Sequence, residues 1–280
     1  MGRALPVTLT VLGMVSIQAG AAMAKRLFPA IGAEGATALR LILAAAILLI
    51  VFRPWRSPLD RKRLLWIGLY GATLGAMNLS FYLALNTVPL GIAVALELIG
   101  PLTLALLHSR HRIDLVWVAL AAAGLAVLLP LTGAGAIPWT GALLALTAGA
   151  LWALYIVFGS KTGTEGHGQA VALGMLAAAI VGAPLGVIHA GSSLLAPGIL
   201  AFGLAIAVLS SILPYTIELY AMNRLPTQTF GVLMSVEPAI AAVSGAIVLS
   251  ERLSVMQWAG IVAVIAASAG STLTGRAKRA

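Results

Sequence analysis

The chain has 280 residues, 61% of them hydrophobic and only 9% charged. A soluble domain is nearer half apolar and a quarter charged, so this composition excludes one and implies an integral membrane protein. The formal net charge of +9 would suit nucleic acid, but the basic residues lie in breaks between apolar runs and make no aromatic-lined groove, so nucleic-acid binding is set aside. There is no cysteine, which excludes disulfides, thiol catalysis and Cys-ligated metal.

Apolar runs of about 20 residues, the length that crosses a ~30 Å hydrocarbon core, recur along the chain. They predict an all-α membrane protein of ten transmembrane helices: 7–24, 35–52, 64–85, 90–108, 113–130, 139–158, 168–189, 197–222, 228–249 and 254–273. The first run, with Arg3 before it and Ala22-Met23-Ala24 at its end, imitates a cleaved signal peptide. It reads instead as an uncleaved span, because nine more follow and it has a counterpart in the second half. No stretch between the spans is long enough for an ATPase or a soluble binding domain, so gradients would supply the energy for transport.

Lysine and arginine orient the spans. Arg3, Arg53, Arg56, Arg61, Lys62, Arg63, Arg110, Arg112, Lys161, Arg224, Arg276, Lys278 and Arg279 fall on one side. Lys25, Arg26 and Arg252 fall on the other, and Arg40 lies inside span 2. Thirteen against three predicts both termini in the cytoplasm. Lys25 and Arg26, at the outer end of span 1, read as side chains snorkelling to the interface, with a substrate role as the other option.

One stretch occurs twice: L-A-L-N-T-V-P-L-G-I-A-V-A-L-E-L-I-G-P from Leu83 to Pro101, and Y-A-M-N-R-L-P-T-Q-T-F-G-V-L-M-S-V-E-P from Tyr220 to Pro238. Ala84, Asn86 and Pro89 match Ala221, Asn223 and Pro226 at one offset; Glu97 matches Glu237 at an offset three residues larger. Gln18-Ala19-Gly20-Ala21 also resembles Thr147-Ala148-Gly149-Ala150. Two repeats of five spans follow, 1–133 and 134–280, and the odd number inverts the second in the membrane. Glu97 and Glu237 then lie roughly 12–15 Å in from opposite faces, both near the midplane.

Gly71-Ala72-Thr73-Leu74-Gly75 and Gly182-Ala183-Pro184-Leu185-Gly186 are small-residue faces for close helix packing. Pro101, Pro214 and Pro238 each withdraw a hydrogen bond, from the carbonyls of Glu97, Ser210 and Met234 respectively. Such carbonyls are tolerated where they line a cavity or find a neighbour; a plain packing kink is the other reading.

No G-x-S-x-G, H-E-x-x-H or Walker loop is present. The histidines, His108, His111, His167 and His189, fall at span ends or in loops and form no ligand set, so neither enzyme activity, metal nor cofactor is expected. The intramembrane polar residues remain. A carboxylate there costs roughly 2.5–3.5 kcal/mol and marks a functional site by default. Glu97 and Glu237 are either a proton or amine site in a central cavity, or protonated or paired carboxyls that pin helices; for Glu237, beside Pro238, a structural partner is the favoured option. Glu218 is interfacial or cavity-facing. Arg40 pairs with a carboxylate or holds that of a substrate, the pair being the simpler reading. Asn78 and Tyr82 share one helix face, as do Trp152 and Tyr155, and with Tyr215 they suit a half-apolar solute with a polar end. Lipid-interface anchoring is the alternative, better suited to Tyr70 and Trp139.

The five-plus-five arrangement and the paired Glu resemble the drug/metabolite transporter superfamily with two EamA-type domains. S-I-Q-A-G-A-A-M-A-K from Ser16, V-P-L-G-I-A-V-A-L-E from Val88 and L-P-T-Q-T-F-G-V-L-M-S-V-E-P-A from Leu225 resemble its threonine/homoserine exporter branch. The resemblance implies a multi-pass bacterial inner-membrane exporter of amino acids, threonine and homoserine first and aromatic ones within range, working by alternating access around a central cavity. Substrate and protons would be its small partners, lipid its surroundings and the monomer its working unit. Rival expectations are a carrier of drugs or nucleotide-linked sugars of the same fold, with Arg40 alone offering few cations for a sugar phosphate, a membrane enzyme or assembly factor, and a passive channel.

Overall fold

The computed structural model describes residues 4–56, 58, 60–107, 113–128, 137–163, 167–214, 217 and 232–274. Among the described residues all regular structure is helical. The helices are α1 (Ala4–Lys25), α2 (Phe28–Phe52), α3 (Arg61–Ala84), α4 (Leu90–Glu97), α5 (Ile99–Leu107), α6 (Asp114–Leu128), α7 (Trp139–Gly159), α8 (His167–Gly182), α9 (Pro184–Ala190), α10 (Pro197–Ala207), α11 (Glu237–Leu249) and α12 (Val255–Thr274). Helix satisfies every backbone group within its own segment, which an apolar solvent demands.

Among the described residues seven helical runs are long and apolar enough to cross a membrane: α1, α2, α3, α4 with α5, α7, Val232–Leu249 and α12. The pair α8 and α9, bent by 50°, makes an eighth. Asp114–Leu128 and Pro197–Ile212 are shorter apolar helices that adjoin undescribed residues. The exposed side chains of these helices are largely apolar, among them Ile50, Leu115, Ile188 and Ile247. The protein is an all-helical, multi-pass membrane protein.

Proline and glycine set the breaks. α2 begins at Phe28 rather than at the predicted 35, because Pro29 suits a first helical turn and Gly32 bends the helix at φ 72°. The fourth predicted span is broken between Glu97 and Ile99, where Pro101 has removed the hydrogen bond to the Glu97 carbonyl. The predicted 168–189 span bends at Ala183, beside Pro184. A π turn, Val208–Ile212, precedes Pro214. Ser235 and Val236 interrupt the run into α11, whose first turn carries Pro238.

α4 lies at the centre and is buried along its whole length. It packs on α7 and α11; α3 packs on α7 and α8; α2 on α8, α9 and α10; α1 on α10, α11 and the π turn; α6 on α12. Small residues permit these approaches. A Cβ at Gly71 would run into the Gly174 carbonyl of α8, and one at Gly91 would come 2.5 Å from the Ala242 side chain of α11. The predicted Gly71/Gly75 and Gly182/Gly186 faces are packing faces: Gly75 meets Ala178 and Gly182, and Gly186 meets Glu34.

Candidate substrate cavity

α1, α2, α3, α4, α7, the π turn and the start of α11 enclose a cavity of about 120 Å³. The break after α4 puts Glu97 at a helix C-terminus, while the break before α11 puts Glu237 at a helix N-terminus. Both carboxyl side chains are buried and both line the cavity. The Nε2 of Gln18, on α1, donates to Glu237 Oε1 at 2.8 Å. Glu237 thus has the structural partner that the sequence suggested. Glu97 has no hydrogen-bond partner among the described residues and faces the cavity free.

Arg40 reaches in from α2. Its Nη2 donates to Asn78 Oδ1, and its Nη1 approaches the Ser210 carbonyl at 3.4 Å and the Ser211 hydroxyl at 3.5 Å. Its guanidinium lies 5.0 Å from the centroid of the Tyr82 ring, within cation–π range. The sequence reading that favoured a carboxylate partner for Arg40 is corrected: among the described residues it makes no ion pair. Its anchors are neutral, and one is the carbonyl that Pro214 frees. Among the described residues the buried Nε of Arg40 and Oε1 of Gln18 have no hydrogen-bond partner.

Asn78 and Tyr82, one turn apart on α3, both contact Arg40. Trp152 and Tyr155, on α7, also line the cavity. Tyr155 stacks on Tyr70 with ring centroids 4.6 Å and hydroxyls 3.1 Å apart. Tyr70 is therefore buried against α7 and α8, behind Tyr155, rather than a lipid-interface anchor, because Gly159 and Gly174 leave room for its ring. Trp139 is exposed at the start of α7.

Seven predicted site residues meet here: Arg40, Asn78, Tyr82, Glu97, Trp152, Tyr155 and Glu237. Tyr215 and Glu218 lie outside the described residues. Sequence reasoning missed Gln18 and Met77, which also line the cavity, as do Ser210 and Met234, whose carbonyls the prolines had singled out. The signal for Gln18 was its position: an amide in mid-span is costly without a partner. Beyond Glu237, towards the N-terminal end of α1, a second cavity of about 50 Å³ adjoins the first through Ile17 and Met234. A larger groove along α5 and α6, about 520 Å³, has apolar walls apart from Thr103 and Asp114 and holds none of the predicted residues.

Lys25 does not snorkel. Its Nζ donates to Glu251 Oε1 at 2.8 Å and to the Val88 carbonyl at 3.2 Å. The backbone N–H of Leu90 donates to Glu251 Oε2 at 2.8 Å, and Arg26 Nε donates to the Val248 carbonyl at 3.1 Å.

Residues 139–273 match the EamA-like transporter family. The chain is 53% identical to the threonine/homoserine exporter RhtA of Salmonella typhimurium (strain SL1344), over 97% of this chain and 92% of the relative. It is 52% identical, with the same coverage, to the threonine/homoserine exporter RhtA of Escherichia coli (strain K12). A solved structure covering 96% of this chain and 98% of its own has a TM-score of 0.59 at 20% identity, a likeness of fold alone. These relatives are exporters and not enzymes, and at this identity over nearly the whole length the chain belongs with them to the EamA-like transporter family.

Proposed function

We propose that this carrier exports threonine and homoserine, with other amino acids of similar size, across the bacterial inner membrane by alternating access. The observation that carries the reading is the identity to threonine/homoserine exporters along 97% of the chain. The cavity supports it. A zwitterion needs a cation for its carboxylate and an acceptor for its ammonium, and Arg40 and the free carboxyl of Glu97 line one space. That space, about 120 Å³, holds on the order of ten non-hydrogen atoms, the size of threonine. Drug-sized solutes take pockets of roughly 300–1,000 Å³, which counts against the rival drug carrier.

The protein has ten spans in two inverted repeats, 1–133 and 134–280, with both termini in the cytoplasm. Apolar helices at all ten predicted positions and the charge asymmetry support this. So does the packing, which comes in mates under such a repeat: spans 3 and 6 answer spans 8 and 1, while 2 with 7, 4 with 9 and 5 with 10 answer themselves. Glu97 is the group through which proton coupling acts. The monomer is the working unit, with the described walls of the cavity drawn from helices of both repeats.

The cellular test is expression in a bacterium stripped of its own threonine exporters. Higher tolerance to added threonine and homoserine, with smaller intracellular pools, supports the reading. Unchanged pools at confirmed membrane expression would refute it.

A further inference from the structure

Three helices bring the cavity's polar groups together: Gln18 from α1, Glu97 from α4 and Glu237 from α11. The same three are tied again farther along. Lys25 lies seven residues past Gln18, and Leu90 lies seven residues before Glu97, which is about 10 Å of helix in each case. Gln18, Ala21 and Lys25 follow the three- and four-residue spacing of a single α1 face, so Lys25 stands one turn beyond the cavity-lining Ala21.

Glu251 reaches this level because the chain folds back. Ser250 takes the left-handed conformation at φ 57°, and the Glu251 N–H then bonds the Gly245 carbonyl at 3.1 Å. The Glu251 carboxylate lies over Gly245, where any Cβ would collide with Oε2. Gly245 is eight residues past Glu237, about 12 Å along α11. Both carboxylate oxygens are then used: Oε1 by Lys25, and Oε2 by the N–H of Leu90 in the first turn of α4, the end of a helix that favours an anion. Lys25 also holds the Val88 carbonyl in the α3–α4 turn. One ion pair therefore joins α1, α4 and α11 at one end of the cavity, with side chains about one-fifth exposed or less.

We propose that Lys25 and Glu251, with the α4 N-terminus, form the latch that closes the extracellular end of the substrate path. The inference rests on the transport reading and orientation above. In this conformation the latch is made; release of substrate to the outside requires that it break, letting α1 and α11 part from α4. Glu251 suits the task because both of its contacts are polar and can be exchanged for water, whereas a packed apolar plug would have no such alternative partner.

The chain has no cysteine, so a single one reports access. Ala21→Cys, on the cavity wall, is reacted with a membrane-impermeant, negatively charged thiol reagent in right-side-out and inverted vesicles; Met77→Cys serves if Ala21→Cys does not fold. Adding Glu251→Gln is expected to speed labelling from the outside at least about tenfold, a shift of about 1.4 kcal/mol towards the open state. The swap Lys25→Glu with Glu251→Lys is expected to slow it again. An unchanged outside rate in folded Glu251→Gln protein would overturn the latch and leave the pair a static staple. Acceleration only in inverted vesicles would overturn its extracellular placement. Threonine counterflow by the cysteine-free parent protein, measured alongside, separates these results from failure of the transport reading itself.

Discussion

Gln18 and Glu237, 219 residues apart in sequence, share a buried hydrogen bond of 2.8 Å that joins the first helix to the second broken one. The bond spends one of the amide's two N–H donors on the carboxylate, and among the described residues the amide oxygen has no partner. The second intramembrane carboxylate is thereby held in place, while its counterpart Glu97 stays free.

Replacing Gln18 by Leu removes that anchor and leaves a buried carboxylate short of a donor. We expect a loss of about 1–3 kcal/mol in stability, read as a lower midpoint in detergent melts, with transport falling alongside. Gln18→Glu keeps the size but places two carboxylates face to face, and is expected to melt lower than Gln18→Leu. Equal melting of all three proteins would show that the bond contributes nothing.

Glu97→Gln keeps shape and removes the charge offered to a substrate ammonium or a proton. Its threonine transport should fall at least about tenfold, equivalent to the loss of one charge-assisted contact of roughly 1.5–3 kcal/mol. The corresponding Glu237→Gln should show the larger drop in stability, because Glu237 is the partnered one. Parent-like transport by Glu97→Gln would remove Glu97 from the site.

Arg40 is held as a planar fork by Asn78 and the Ser210 carbonyl. Lysine keeps the charge but has no fork, so Arg40→Lys is expected to lose most transport, about tenfold or more, while remaining folded. Pro214→Ala returns a donor to the Ser210 carbonyl and competes with Arg40 for it; a partial loss is expected. Saturation curves of the two variants against the parent check both.

Gly91 has the Ala242 side chain 2.5 Å from where its Cβ would stand. Gly91→Val should therefore push α4 from α11, destabilise the bundle by about 1–3 kcal/mol or more and lower the folded yield. Gly68, which has open space around it, is the control: Gly68→Ala should melt like the parent.

Helix existence was legible because hydrocarbon admits long apolar runs and little else, so the spans announce themselves. Their bends were less so. Pro101 and Pro238 marked breaks by an absent N–H, but the Gly32 kink depends on a positive φ that no local pattern near Phe28 required. In the site, mid-span polar residues were visible as outliers, which brought Arg40, Asn78, Tyr82, Glu97, Trp152, Tyr155 and Glu237 forward. What they touch was not visible. Arg40 finds neutral groups 38 and 170 residues away, and Lys25 finds Glu251 across 226. Such partners are fixed by helix packing, so a charge near a span end looked like snorkelling until Glu251 stood beside it. Gln18 stands out in the sequence as part of a repeat and not as a partner for a carboxylate.

A threonine-sized zwitterion is carried through the cavity of Arg40 and Glu97. Counterflow of labelled threonine into proteoliposomes preloaded with unlabelled threonine tests it most directly, with homoserine, serine, tryptophan and N-acetylthreonine as competitors. Saturable accumulation, blocked by homoserine and serine but not by N-acetylthreonine, and cut about tenfold or more in Arg40→Lys, is the predicted result. Absence of accumulation in sealed, correctly loaded vesicles, or equal accumulation in parent and Arg40→Lys, would contradict it.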